Sequence, residues 1–184
     1  MKRYLLMAMA LLAGCAGSAD DGVVQRTYDL GIEVPAARFG ALRSGTVRAT
    51  APFDTNDMLY RLAYRDTAEL HAFAHSRWAA APAVLLQRRF ARASGGAPAV
   101  CAFDFELSEL SQVFSSTSAS DVVLEGRAML HAGSRRVADK VFLVVERDAG
   151  GSAASGVRAL ARAADRMIGE IGAWSMQSGA CKTG

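Results

Sequence analysis

From Cys101 to Ser108 the chain alternates without a miss, Cys101, Phe103, Phe105 and Leu107 falling between Ala102, Asp104, Glu106 and Ser108. A strict period of two marks a strand with one face in a core and the other in water. This stretch therefore demands a sheet that is covered on one side. Two further strand candidates follow, from Asp121 to Leu130 and from Arg136 to Arg147, both rich in Val and Leu. They flank residues His131 to Arg135, a glycine-containing hairpin loop. Three strands joined this way predict an antiparallel meander. Its cover is legible too. Gly150-Gly151 breaks the strand pattern, Ser152 or Ser155 can cap a helix, and Val157, Leu160, Ala161, Ala164, Ile168, Ile171 and Trp174 trace an apolar stripe. Arg158, Arg162, Asp165, Arg166 and Glu170 populate its other side.

The first half is less regular. Thr27 to Val34 places Tyr28, Leu30 and Ile32 in period two and reads as an opening strand stopped by Pro35. Thr46 to Thr50 suits a short strand, and Met58 to Arg65 alternates again after a proline- and aspartate-containing turn. After Asp66-Thr67, either of which could cap, Leu70, Phe73, Ala74 and Trp78 follow helical spacing, which predicts a helix across Glu69 to Trp78. A second helix starts at Pro82, carries Leu86, Phe90 and Ala93 on one face, and ends at Ser94-Gly95-Gly96. The expected class is α/β of the α+β type: a mainly antiparallel sheet with a C-terminal meander, packed by about three helices including a long C-terminal one.

The N-terminus sets the compartment. Lys2 and Arg3 precede an apolar run from Tyr4 to Leu12, and Leu12-Ala13-Gly14-Cys15 closes it with small residues, the layout of a secretory signal. The length argues against a membrane-spanning helix, because the eleven residues from Tyr4 to Gly14 would span about 16 Å against a hydrocarbon core of about 30 Å. An ordinary signal cleaved after Ala19 is the rival reading. The LAGC end resembles the lipobox of bacterial lipoproteins, in which the cysteine is lipidated and becomes the first residue of the mature chain. On that likeness residues 1–14 are a lipoprotein signal peptide, 15–26 a lipidated tether and 27–184 a single periplasmic domain, with Cys15 as the lipid attachment site.

Processing would also remove Lys2 and Arg3, so the formal charge of +3 falls to +1. The remaining arginines are dispersed and form no basic stripe with interleaved aromatics, which argues against nucleic acid. Cys101 and Cys181 are left. They can pair in an oxidising periplasm, or Cys101 can be a small core residue and Cys181 part of a loose tail.

A search for chemistry yields fragments. His71 and His75 would share one helix face at the spacing two metal ligands need, yet no HExxH pattern or third ligand accompanies them, and a solvated face is the preferred reading. No GxSxG elbow, Walker motif or GxGxxG turn is present. Asp104 and Glu106 share a strand face as a carboxylate pair might, but the solvent side of a half-buried strand explains them equally. No catalytic residue, cofactor or metal is expected, and the chain reads as a non-enzyme.

Three stretches resemble the ABC-type transport auxiliary lipoproteins of the PqiC/YmbA type: MLYRLAYRDTAELHAFAHSRWAAAPAVLLQRRF, CAFDFELSELSQVF and GVRALARAADRMIGEIGAW. Phe103 to Leu107 and Phe114 match the central motif. The resemblance implies a periplasmic accessory of a system that couples an ABC transporter to a mammalian-cell-entry (MCE) membrane protein and moves lipids between the two membranes. Its implied partners are that MCE protein with its transporter, and the membrane through the lipid. MCE rings make a matching homo-oligomer an expectation by analogy. Ala16, where an aspartate would favour inner-membrane retention, points to the outer membrane, facing the periplasm. The competing reading is a stand-alone structural or envelope-assembly lipoprotein that binds outer-membrane or cell-wall proteins; a weaker third is a lipid carrier with its own cavity.

Overall fold

The sheet is assembled around β5, Cys101–Phe114, the strand that carries the unbroken alternation. The structure is a computed structural model that describes residues 24–94, 99, 101–179 and 181. In chain order the other elements are β1 (Arg26–Tyr28), β2 (Leu42–Ala49), β3 (Asp57–Leu62), β4 (Asp66–Trp78), α1 (Pro82–Ala93), β6 (Ser120–Ala132), β7 (Arg135–Glu146) and α2 (Ala153–Gln177). Seven strands form one sheet in the order β1-β4-β3-β5-β6-β7, with β2 also beside β5. β2 and β3 lie end to end along one edge of β5, both parallel to it, Leu42 opposite Cys101 and Leu62 opposite Phe114. On the other edge β6 and β7 add the antiparallel meander. The fold is thus α+β with a mainly antiparallel sheet. Cys15 and residues 1–14 lie outside the described residues.

One face of the sheet is closed by both helices. Phe103, Phe105 and Leu107 of β5, Val122, Leu124, Ala128 and Leu130 of β6, and Phe142 and Val144 of β7 are all buried on it. α1 starts on Pro82, whose missing N–H costs nothing in the first turn, and drives Phe90 against Phe103 and Phe105 at ring distances of 5.7 and 5.5 Å. α2 begins with Ser152 and Ser155 in a reciprocal capping box and lays Val157, Leu160, Ala164, Ile168 and Ile171 on the meander. Gly126 of β6 lies under the Phe105 ring, where a Cβ would stand 2.4 Å from Cζ.

Two expectations are corrected. Residues 69–78 belong to strand β4 and form no helix, so two helices are present among the described residues. The reason is the hairpin with β3: Tyr60 pairs with His71 and stacks on it at 5.1 Å, while Phe73 packs on the same ring at 4.5 Å. Cross-strand aromatic contacts outweigh the helical spacing of Leu70, Phe73, Ala74 and Trp78. Asp66 accepts the Ala68 N–H at 2.8 Å and starts the strand rather than capping a helix. The opening strand ends at Tyr28, because Asp29 Oδ1 takes the Gly31 N–H at 2.8 Å and Gly31 adopts φ +83°. Leu30 is consequently buried while Ile32 points to solvent.

The segment after that turn runs along the helix layer. Arg89 of α1 donates to the Leu30 carbonyl, Arg92 to that of Gly31 at 2.7 Å, and Gly172 of α2 sits against the Arg38 carbonyl. Arg89 also meets Asp165 of α2 through two hydrogen bonds, 2.7 and 2.8 Å long, with only 2% of the residue exposed. One guanidinium therefore joins both helices to the N-terminal segment.

Candidate functional site: the open face of the sheet

Among the described residues no helix covers the second face of the sheet. The alternation that sends Phe103 and Phe105 into the core sends Asp104 and Glu106 out, and the registers fix their neighbours. Arg48 of β2 and Arg127 of β6 stand opposite Glu106, and Met129 stands opposite Asp104. Across the next pair Asp139 of β7 lies opposite Met129, and Arg136 opposite His131. Asp139 binds Arg127 at 2.6 Å and Arg136 at 2.8 Å. Its carboxyl is held below the usual carboxylate range, chiefly by the Arg127 hydrogen bond, with Arg136 adding to it.

The bulge in β2 shapes one side of this charged band. Between Ser44 and Val47 the register slips, which turns the Thr46 N–H onto Asp104 Oδ1 at 2.7 Å. A Cβ on Gly45 would stand 2.5 Å from that same oxygen, so the glycine is what admits the carboxylate. His131 Nδ1 lies 3.6 Å from the other Asp104 oxygen. Together these groups line a cleft of about 210 Å³ with Arg48, Glu106, Met129 and Arg136.

Toward the far ends of β5 and β6 the same face mixes charged and apolar groups: Glu109 stands opposite Glu125 and binds Arg61 at 3.1 Å. Val123 of β6 faces Val145, and Leu143 of β7 faces Glu125. Val141 and Leu143 are 46% and 56% exposed. Charged groups beside exposed Val141 and Leu143 offer a protein partner both register and buried area, the combination found at specific interfaces. Arg48, Arg127 and Arg136 are matched in sum by Asp104, Glu106 and Asp139, which favours recognition over accumulation of ions. No helix among the described residues is long and apolar enough to cross a membrane.

The residues singled out from sequence fall as follows. Cys101 and Cys181 are joined in a disulfide with Cα atoms 5.5 Å apart, tying the start of β5 to the residues beyond α2. Cys101 is also buried, so the two alternatives for it coexist. His71 and His75 lie on a strand, where four residues span about 13 Å, too far for one metal. Among the described residues no group of three or more His, Cys, Asp or Glu is placed to hold a metal ion. His75 instead lines a cleft of about 490 Å³ with Arg26, Tyr28, Phe73 and Ser152. Phe103, Phe105, Leu107 and Phe114 are core residues. Arg48, Arg127, Arg136 and Asp139 carried no local signal, because only strand register brings them to Asp104 and Glu106.

The fold recurs among solved structures. Protein XCC0632 from Xanthomonas campestris, described under the family model DUF330, matches with a TM-score of 0.61 at 17% identity, over 85% of this chain and 93% of that one. A second structure, of a protein described only as uncharacterized, matches with a TM-score of 0.64 at 12% identity, over 83% and 99% of the two chains. What the three share is the fold. No family model and no curated protein matches the sequence.

Proposed function

We propose that the chain is a non-catalytic lipoprotein of the ABC-type transport auxiliary family. In this reading Cys15 carries the lipid, the domain stands in the periplasm at the outer membrane, and it acts as an accessory of an MCE/ABC-transporter system that moves lipids between the membranes. The observation that carries the reading is the fold likeness over nearly the whole domain to a DUF330 protein, the family to which the PqiC/YmbA-type lipoproteins belong. The lipobox-like LAGC and the three family-like stretches support it from the sequence side. The bare sheet face supports an adaptor role, since it displays recognition groups at a site the protein's own helices leave uncovered.

Two measurements test it. Radiolabelled palmitate should enter the wild-type chain and be lost with Cys15→Ser. Affinity purification from detergent extracts should return an MCE-family protein or its ABC subunits. Recovery of cell-wall or outer-membrane assembly proteins instead would favour the stand-alone envelope lipoprotein.

A further inference from the structure

Among the described residues, three of the eight exposed large apolar side chains, Val24, Ile32 and Val34, fall within residues 24–34. Ile32 is 85% and Val34 57% exposed. Ile32 and Val34 follow a fixed turn. Leu30 is buried beneath them, Asp29 holds the Gly31 N–H, and Arg92 and Arg89 hold the two carbonyls before Ile32. The turn therefore presents Ile32 and Val34 outward on the outer side of the helix layer, away from the bare sheet face.

Cations flank the turn on both sides. Arg88 and Arg92 of α1 line one cleft beside Gly31, and Arg158 of α2 lines another. The nearby acids are Asp29, which accepts the Gly31 N–H, Asp165, which is paired with Arg89, and Glu33, whose Oε2 lies 3.3 Å from where a Gly31 Cβ would stand. Apolar tips between arginines suit an anionic lipid surface: the tips enter the acyl boundary and the guanidiniums meet phosphate oxygens.

We infer that loop 31–34 is a second membrane contact, with Ile32 and Val34 entering the bilayer surface and Arg88, Arg92 and Arg158 on its phosphates. This rests on the lipid attachment at Cys15 proposed above. Eight residues separate Cys15 from Val24, a reach of about 30 Å at full extension, so the end of the domain that carries the loop stays close to the surface. The acyl chains on Cys15 hold the protein at the surface but leave its orientation free, whereas a docked loop sets it. The helix layer then faces the membrane and the bare sheet faces the periplasm.

The test uses the full lipidated chain reconstituted into vesicles of phosphatidylethanolamine and phosphatidylglycerol, labelled with an environment-sensitive fluorophore at Ile32→Cys or at Leu143→Cys. Both positions are exposed, so neither substitution touches the core. The label at 32 should shift its emission to the blue and lose it to nitroxide-bearing lipids, while the label at 143 keeps a water-exposed spectrum. A label at 32 that stays wet on vesicle-bound protein overturns the second contact and leaves the lipid anchor standing. Shielding at 32 that needs no vesicles and rises with protein concentration assigns the patch to another copy of the chain, and also overturns it. Protein that fails to float with the vesicles removes the anchor itself, and the inference with it.

Discussion

Arg89 shows how much of the packing rests on single side chains. Its guanidinium is almost fully buried, while Asp165 keeps 30% of its side chain exposed, so the two partners of the pair are unequal. Asp165→Ala leaves a buried cation without its carboxylate and should cost about 3 kcal/mol, whereas Arg89→Met leaves a carboxylate that still reaches water and should cost distinctly less. Urea unfolding of the two variants checks the order. At Gly126 the constraint is steric: a methyl group would meet both Phe105 Cζ and the Glu106 carbonyl. Gly126→Ala should lose about 1–3 kcal/mol by overpacking. On the open face Asp139 should titrate below the usual carboxylate range in a carboxyl-carbon NMR titration, and Arg127→Leu should move its midpoint back up. Because the folded-state value is depressed, what this group contributes to stability is complete above the ordinary carboxylate pKa and is lost as pH falls through the depressed value.

At the scale of elements, the best-read parts were those whose periodicity spans many residues. β5 was plain because Cys101 to Leu107 alternate between core and water, and α2 because its stripe runs for several turns under a serine cap. β4 was misread, since Leu70, Phe73, Ala74 and Trp78 fit a helix as well as a strand until Tyr60 supplies the stacking partner. The parallel placement of β2 and β3 along one edge of β5 left no trace in local pattern. The charged cleft was half legible: Asp104 and Glu106 were visible as a pair on one strand face, but their arginine and histidine neighbours come from β2, β6 and β7 and depend on register. The disulfide is an element-level clamp, joining positions 80 residues apart. Closing a loop of that length is worth on the order of 4 kcal/mol, if the unfolded chain behaves as a free coil. Dithiothreitol, or Cys181→Ser, should lower the urea midpoint accordingly and free the residues beyond α2 to exchange amide hydrogens.

For the whole molecule, the two faces of the sheet divide the work. One is consumed by the core with α1 and α2, and the N-terminal segment is strapped across those helices by Arg89 and Arg92. The other is left bare, with charged groups beside exposed Val141 and Leu143. A domain tethered at its N-terminal end, with its helix layer toward the lipid, would hold that bare face out to whatever crosses the periplasm. The most direct measurement is photo-crosslinking in intact cells, with a photoreactive residue placed at Leu143 or Arg127 on the open face and at Ala173 on the exposed side of α2 as a control. The adaptor reading predicts adducts with an MCE-family protein from the open-face positions and none from the control. Open-face adducts confined to outer-membrane or cell-wall assembly proteins, with no MCE or transporter component, would contradict it.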